Sequence, residues 1–183
     1  NILVVGLNHK TAPIEVREKI AFDGPKLEEA INILKKSNAV KENIILSTCN
    51  RVEIYAGVND IDSGTESIKS FISDFHNVPR DLLDKSLYLH AGTDAIRHVY
   101  RVASSLDSMV VGEPQILGQL KDAYDEALKH KSTGVTLNKL MRKSVSVAKR
   151  IRTETKIAES AVSISFAAVE LAKKIFDDLS TKT

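Results

Sequence analysis

The stretch IILSTCNRVEIYAG, residues 44–57, holds the chain's one cysteine between two predicted strands. Residues 43–48 contain an apolar run, and residues 52–57 alternate apolar and polar side chains, as a strand with two different faces does. Three residues separate the strands: Cys49, Asn50 and Arg51. So short a connection predicts a tight hairpin or a sharp corner, and Asn50 is the residue best able to adopt a positive φ angle there.

The flanking segments predict an α+β fold around this hairpin. Two further strands are expected at 2–7 and 86–90, and two amphipathic helices at 26–36 and 67–75. The order βαββαβ is that of a ferredoxin-like antiparallel sheet with helices on one face. After residue 92 the pattern changes to helices alone, at 93–106, 114–130, 135–152 and 159–180. We therefore predict a ferredoxin-like sheet, a helical segment and a long C-terminal helix.

The composition is typical of a globular protein without a membrane span. Of the 183 residues, 43% are hydrophobic and 27% are charged, which is the balance of an ordered domain. No apolar run reaches the roughly 20 residues that cross a bilayer, and no leader peptide is evident. Because the chain starts at Asn1 and stops at Thr183 without clear caps, we expect it to be part of a longer protein.

The single cysteine restricts the chemistry that the chain supports. It excludes an internal disulfide and a cysteine-rich metal site, and it favours a reducing compartment, so we expect a cytoplasmic protein. The five histidines show no H-x₃-H spacing, and no metal site is predicted. Cys49 has two interpretations, a buried small hydrophobic residue or a nucleophile at a strand end. Arg51 supports the second, because a nearby positive charge favours the thiolate.

A nucleophilic thiol works best beside a group that accepts its proton. Two histidines are candidates. His98 lies at the edge of the apolar face of a predicted helix, and His9 follows the first strand. If the first strand neighbours the hairpin, His9 competes with His98 for the position beside Cys49. The residue pattern alone does not decide between them.

Two further segments have both a structural and a functional interpretation. Residues 105–124, SLDSMVVGEPQILGQLKDAY, are either an ordinary loop-to-helix junction or the polar wall of a pocket for an ammonium and a carbonyl group. Residues 131–156 contain eight Lys or Arg against one acid. On the predicted helix the cations share one side, which is either a solvated face or a surface that contacts a polyanion such as RNA through its phosphates.

Five motifs give the chain a resemblance to the N-terminal part of the glutamyl-tRNA reductases. They are GLNHKTAP (6–13), STCNRVEIY (47–55), SLDSMVVGEPQILGQLKDAY (105–124), SVAKRIRTET (146–155) and the closing helix. The resemblance implies a catalytic, glutamyl-tRNA-binding domain at 1–157 and the start of a long spinal helix at 158–183. It also implies the family's activity, the NADPH-dependent reduction of glutamyl-tRNA to glutamate-1-semialdehyde, which begins tetrapyrrole synthesis.

The resemblance also implies the roles of individual residues. Cys49 corresponds to the nucleophile that holds glutamate as a thioester, and His98 to the histidine that supports its chemistry. Eight residues correspond to substrate contacts: Thr48, Asn50, Arg51, Ser108, Glu113, Pro114, Gln115 and Gln119. We expect Arg51 to bind the side-chain carboxylate of glutamate and Glu113 to bind its α-ammonium group.

Two departures from the family pattern modify these expectations. Ser105 stands where the family usually has glycine, which predicts a modest restriction of the backbone there. No G-x-G-x-x-G turn occurs, so the NADPH-binding domain is expected to be absent and the fragment to form and hydrolyse the thioester without reducing it. The expected partners are glutamyl-tRNA, a second subunit of a full-length homodimer and the downstream semialdehyde aminomutase. The alternative function is a non-catalytic RNA-binding or regulatory module.

Overall fold

A computed structural model describes residues 1–158 and the single residue Leu171. It contains four strands, β1 Ile2–Asn8, β2 Val40–Ser47, β3 Arg51–Val58 and β4 Tyr88–Ala91. Seven α-helices occur among these residues: α1 Ile14–Lys19, α2 Gly24–Lys36, α3 Ile61–His76, α4 Arg80–Asp84, α5 Gly92–Ala103, α6 Gln115–Lys129 and α7 Val135–Glu154. A short 3₁₀ helix follows at Lys156–Ala158.

The four strands form one antiparallel sheet in the order β2-β3-β1-β4. Strand β3 pairs along its length with β1, from Gly57 opposite Ile2 to Arg51 opposite Asn8. This order with antiparallel pairing is the ferredoxin-like arrangement, so the predicted α+β fold is confirmed. The helices α1 and α4 were not predicted, because six and five residues are too few to show a helical repeat.

The sheet lies between two layers of helices. Residues such as Val5 and Ile54 face one core, which is formed with α1–α4. Their strand neighbours Val4 and Tyr55 face the other core, formed with α5, α6 and α7. The helices of the βαββαβ unit therefore cover one face, as predicted, and the helical segment covers the other. Because both faces are covered, every residue of β3 is buried.

The connection between β2 and β3 is a tight hairpin. The backbone N–H of Thr48 donates to the carbonyl oxygen of Arg51 at 2.8 Å. The hydroxyl oxygen of Thr48 accepts from the N–H groups of Asn50, at 3.2 Å, and Arg51, at 3.1 Å. Asn50 does not adopt the positive φ that it was expected to tolerate, since the described non-glycine residues with positive φ are Asn77, Ser105 and Lys131. The Thr48 hydroxyl closes the turn instead.

Helix α7 has the two-sided character predicted from the basic segment. The basic side chains Lys139, Arg142 and Lys143 are exposed, and the buried residues of the helix are Leu137, Leu140, Met141, Ser144 and Ala148. The predicted helix at 159–180 lies outside the described residues, and the domain boundary at 157/158 stays a prediction. In the described part of the chain, no helix has the length and apolarity needed to cross a membrane.

The N-terminus of α7 is capped by a side chain of the sheet. The Glu42 carboxylate accepts N–H bonds from Gly134 at 2.9 Å, Thr136 at 3.2 Å and Leu137 at 2.8 Å. The approach is close enough that a Cβ atom at Gly134 would lie 2.9 Å from Glu42 Cδ. The carboxylate therefore satisfies helix N–H groups and complements the helix dipole.

We expect Glu42→Ala to lower the free energy of unfolding by about 1–2 kcal/mol, because three N–H groups lose their acceptor. Urea denaturation of the purified chain measures this change. Glu28→Ala is the matched control, since Glu28 is exposed on α2, and its cost should stay below about 0.5 kcal/mol. Equal costs for the two variants would show that the cap does not stabilise the fold.

Candidate functional site

Cys49 lies at the tip of the β2–β3 hairpin, beside the end of β1. It is exposed, so its interpretation as a buried small hydrophobic residue is wrong. The turn around it is anchored through the backbone. The carbonyl oxygen of Cys49 accepts from Arg17 Nε at 3.2 Å, and that of Asn50 accepts from the His9 N–H at 2.9 Å. The structure thus presents an accessible thiol on a turn held in one position.

Arg51 joins this turn to the loop after α5. Its side chain is buried, with 1% exposure of the residue. Nη1 donates to Glu53 Oε1 at 2.7 Å, and Nη2 donates to the backbone oxygen of Asp107 at 2.6 Å and to its Oδ2 at 3.2 Å. Burial alone would lower the pKa of Arg51, but the charge of Glu53 raises it above the usual value. The guanidinium therefore stays charged.

Glu53 is the centre of a buried polar cluster that was not predicted from the sequence. Its carboxylate has no exposure and accepts bonds from Arg51, His98 Nε2 at 2.9 Å, Tyr55 at 2.5 Å and Tyr88. Burial alone would raise the pKa of Glu53, but the hydrogen bond from His98 and the charge of Arg51 lower it to about 2. Glu53 is therefore ionised at neutral pH and only accepts hydrogen bonds.

Gly6 provides the space for this cluster. On β1 it pairs with Glu53 on one side and Tyr88 on the other. A Cβ atom at Gly6 would lie 2.7 Å from Glu53 Cγ and 2.6 Å from the Val52 carbonyl oxygen. Only glycine therefore lets the Tyr88 hydroxyl reach Glu53 across the strand. A glycine within the apolar run of residues 2–7 was the sequence signal that could have indicated this close approach.

His98 connects to the Cys49 turn through Glu53 and Arg51 rather than directly. Because the Glu53 carboxylate only accepts, His98 donates from Nε2, which fixes the orientation of its ring. The ring also stacks on that of His90 at a centroid distance of 4.4 Å. Among the described residues, no hydrogen bond joins His98 to Cys49.

His9 is the histidine whose backbone borders the Cys49 turn, since β1 pairs with β3 as the competing hypothesis required. Its Nδ1 is buried without a hydrogen-bond partner among the described residues. Burial and the charges of Lys10 and Arg51 lower the pKa of His9, so that its ring is neutral at pH 7. Both histidines remain candidates for the proton acceptor.

Asp107 brings the loop after α5 to the same place. Besides Arg51, it binds Lys10 Nζ at 2.7 Å and Asn8 Nδ2 at 3.3 Å. Its neighbour Ser108, a predicted substrate contact, is buried, and the Ser108 hydroxyl has no partner within the described part of the chain. A cavity of about 480 Å³ opens here, lined by Asn8, Tyr88, His90, Asp94, Arg97, His98, Arg101 and Asp107.

The remaining predicted residues lie at the start of α6. Pro114 precedes the helix and Gln115 is its first residue. Gln119, one turn later, lines a different cavity of about 420 Å³ that also contains Ser47, two residues before Cys49. The structure thus groups Thr48, Asn50 and Arg51 with Cys49, places Ser108 beside them through Asp107, and leaves Gln119 in the neighbouring cavity.

Ser105 has a φ angle of 61°, in the left-handed region that favours glycine. This angle gives a structural reason for a glycine at the position and agrees with the expected restriction. A left-handed residue with a side chain costs about 1–2 kcal/mol. The Ser105 hydroxyl donates to the backbone oxygen of Glu113 at 2.5 Å, which offsets part of that cost.

Over the described residues, no group of three His, Cys, Asp or Glu side chains could hold a metal ion.

We expect Glu53→Gln to lower the free energy of unfolding by roughly 3 kcal/mol at neutral pH, because Arg51 loses a buried partner. The pKa of Glu53 is about 2 in the folded chain and 4.5 in its ordinary state. Its contribution is therefore complete above pH 4.5 and is lost as the pH falls towards 2.

Chemical denaturation at several pH values measures this contribution. The difference in the free energy of unfolding between wild type and Glu53→Gln should shrink as the pH falls from 4.5 to 2. Glu66→Gln, which removes an exposed partner of Arg80, should cost less than about 1 kcal/mol throughout. A Glu53→Gln difference that is independent of pH would contradict the charged state assigned to Glu53.

Comparisons with known proteins show which family this chain belongs to. Residues 5–155 match the family described as glutamyl-tRNA(Glu) reductase, N-terminal domain. The whole chain is 60% identical to glutamyl-tRNA reductase of Citrifermentans bemidjiense and 58% identical to that of Geobacter sulfurreducens, covering 42% of each relative. The solved glutamyl-tRNA reductase of Methanopyrus kandleri is 36% identical, with a TM-score of 0.74 over 94% of this chain and 39% of its own.

The matches cover this chain almost completely but the relatives only in part. The chain spans less than half the length of these curated relatives. The family match at residues 5–155 includes the Cys49 turn, the Glu53 cluster and the loop after α5. The chain belongs to the glutamyl-tRNA reductase family and corresponds to its N-terminal part.

Proposed function

We propose that this chain is the part of a glutamyl-tRNA reductase that binds glutamyl-tRNA and transfers the glutamyl group to Cys49. The observation that carries the proposal is the exposed thiol on a turn that Arg51 joins to the buried Glu53 carboxylate, to which His98 also donates. A nucleophile of this kind must be accessible while its surroundings stay rigid. The names of the relatives supply the substrate, glutamate esterified to tRNA.

The transfer is an acyl exchange from oxygen to sulfur. The Cys49 thiolate attacks the ester carbonyl, a C–S bond forms, and the bond from the carbonyl carbon to the tRNA 3′-terminal oxygen breaks. That oxygen takes a proton, and tRNA leaves. Water can then cleave the thioester, which releases glutamate and regenerates the thiol. His9, neutral at pH 7 and beside the turn, or His98, oriented by Glu53, would accept the thiol proton.

Hydrogen-bonding groups near the turn that are not used within the protein are the candidates for contacts with the substrate. Arg51 makes three hydrogen bonds, which leaves two of its five N–H donors for a substrate carboxylate. The buried Ser108 hydroxyl has no partner among residues 1–158, which supports a role as a second contact. Thr48, Asn50, Pro114, Gln115 and Gln119 are proposed as further contacts, and the half-buried Glu113 as the partner of the α-ammonium group.

NADPH supplies the hydride in the family's complete reaction. No G-x-G-x-x-G turn occurs in these 183 residues, so we assign no NADPH contact to them. We propose that the chain alone releases glutamate rather than glutamate-1-semialdehyde. Homodimer formation, delivery to a semialdehyde aminomutase and a cytoplasmic location, where the exposed thiol stays reduced, are proposed for the full-length protein.

The basic side of α7 supports contact with the tRNA. Lys139, Arg142 and Lys143 are exposed and have no ion pair within the described part of the chain, whereas Arg150 pairs with Glu154 at 2.9 Å. Unpaired cations on one helix face attract phosphates. The same face favours the second candidate function, a non-catalytic RNA-binding module. Cys49 separates the two candidates, because only the first uses its thiol.

We expect Cys49→Ser to slow the deacylation of glutamyl-tRNA by roughly a hundredfold or more, because the hydroxyl is a poorer nucleophile at neutral pH. Release of radiolabelled glutamate from the tRNA measures the rate. Glutamyl-tRNA should also protect the wild-type thiol from iodoacetamide, and uncharged tRNA should protect it less. Equal deacylation by the variant and the wild type would leave only the RNA-binding function.

We expect the double change Arg142→Glu and Lys143→Glu to weaken tRNA binding about tenfold at low salt. The slope of log K against log salt should fall by roughly 0.7–0.9 per lost phosphate contact. Filter binding over a salt series measures both quantities.

The matched control is Lys19→Glu with Lys26→Glu, which changes the net charge equally on helices that cover the other face of the sheet. Binding that is unchanged in the α7 variant, or weakened equally in the control, would show that the basic side is a solvated surface.

A further inference from the structure

Arg152, near the end of α7, binds the loop that follows α5, and the proposed acyl transfer does not account for this contact. Its Nη2 donates to the backbone oxygen of Glu113 at 2.7 Å and makes a longer contact of 3.4 Å with the Ser105 hydroxyl. The Ser105 hydroxyl donates to the same Glu113 oxygen at 2.5 Å. One carbonyl therefore joins α7 to both ends of the loop.

These contacts close the neck of the loop 105–113. The N–H of Gly112 also donates to the Ser105 backbone oxygen at 3.0 Å, so the two ends are paired through backbone and side chains. The left-handed conformation of Ser105 turns the chain into the loop at the same point. Met109 and Val111, between the ends, are exposed. The neck therefore joins the two ends of a segment whose side chains Met109 and Val111 pack into neither core.

The loop is fastened at a second point by Asp107, which binds Arg51 behind the Cys49 turn. Each of these two attachment points lies at a proposed substrate contact. Ser108 is next to Asp107 in the sequence, and Glu113 is part of the neck. Their positions relative to Cys49 thus depend on both Arg51 and Arg152. A shift of about 1 Å in such groups is enough to slow a positioned reaction substantially.

The Arg152 side chain is also partly withdrawn from solvent. Its Nε is buried and has no hydrogen-bond partner among the described residues.

We propose that Arg152 is a positioning residue that fixes the neck of the 105–113 loop, and so holds Ser108 and Glu113 against the glutamyl group. The proposal rests on the proposed function. It concerns the glutamyl group specifically, because Cys49 and its turn are anchored by other residues. The loss of Arg152 should therefore affect esters that carry a glutamyl group and leave the reactivity of the thiol itself unchanged.

The experiment compares the reactions of two esters with the 183-residue chain. Arg152→Ala should slow thioester formation from glutamyl-tRNA about tenfold, mainly through a higher half-saturating concentration, since one charge-assisted hydrogen bond is lost. Hydrolysis of 4-nitrophenyl acetate, an ester without glutamyl groups, and alkylation of Cys49 by iodoacetamide should stay within about twofold of wild type. Arg152→Lys, which retains one donor to the Glu113 oxygen, should recover part of the loss.

Arg150→Ala is the matched control, because it removes the same charge from α7 at an exposed position. Arg150→Ala should alter the binding of uncharged tRNA as much as Arg152→Ala does. Its rate of glutamyl transfer should stay higher than that of Arg152→Ala. A parallel fall in glutamyl transfer and acetate hydrolysis would mean that Arg152 only supports the fold, and equal effects of the two alanines would mean that charge alone matters. Either result overturns the proposal.

The proposed function and the positioning role fail in different ways. If the wild-type chain forms no glutamyl thioester, the proposed function is wrong. If the wild type forms it and folded Arg152→Ala forms it equally fast, only the positioning role is wrong.

Discussion

The site depends on one buried carboxylate. Glu53 lies inside the sheet with no exposure, and its charge is stable there only because Arg51, His98 and two tyrosines all donate to it. These donors come from β3, β4 and α5, so the carboxylate joins elements that are distant in the sequence. The arrangement also requires a glycine at position 6.

The residues that hold the site rigid are not the residue that is proposed to react. The charged groups that fix the geometry are buried and paired, whereas the thiol that would react stays at the surface of a hairpin tip. Arg51 connects the two, since it belongs to the turn, binds Glu53 and holds Asp107 of the neighbouring loop. The proposed substrate contacts are thereby attached to the scaffold from the side of β3, and through Arg152 from the side of α7.

Local sequence patterns predicted which segments form the strands and the longer helices, and in what order they follow along the chain. They could do so because apolar periodicity is a property of each segment. They did not predict the buried polar cluster. In β3, polar residues alternate with apolar ones, as in a strand with one solvated face, and only the packing of α5–α7 buries that face. The role of Glu53 therefore arises from tertiary structure. Likewise, Asn50 needs no positive φ because the Thr48 hydroxyl closes the turn.

The resemblance to a family supplied what no local pattern contains, the substrate proposed for this chain and the roles expected of Cys49 and Arg51. It also identified Ser105 as unusual, and the left-handed angle there gives the physical reason. The most direct test of acyl transfer to Cys49 is the intact mass of the chain after brief mixing with glutamyl-tRNA and acid quenching. We predict a mass increase of one glutamyl group, mapped to the peptide that contains Cys49. An unmodified chain, or a glutamyl group on any other residue, would contradict it.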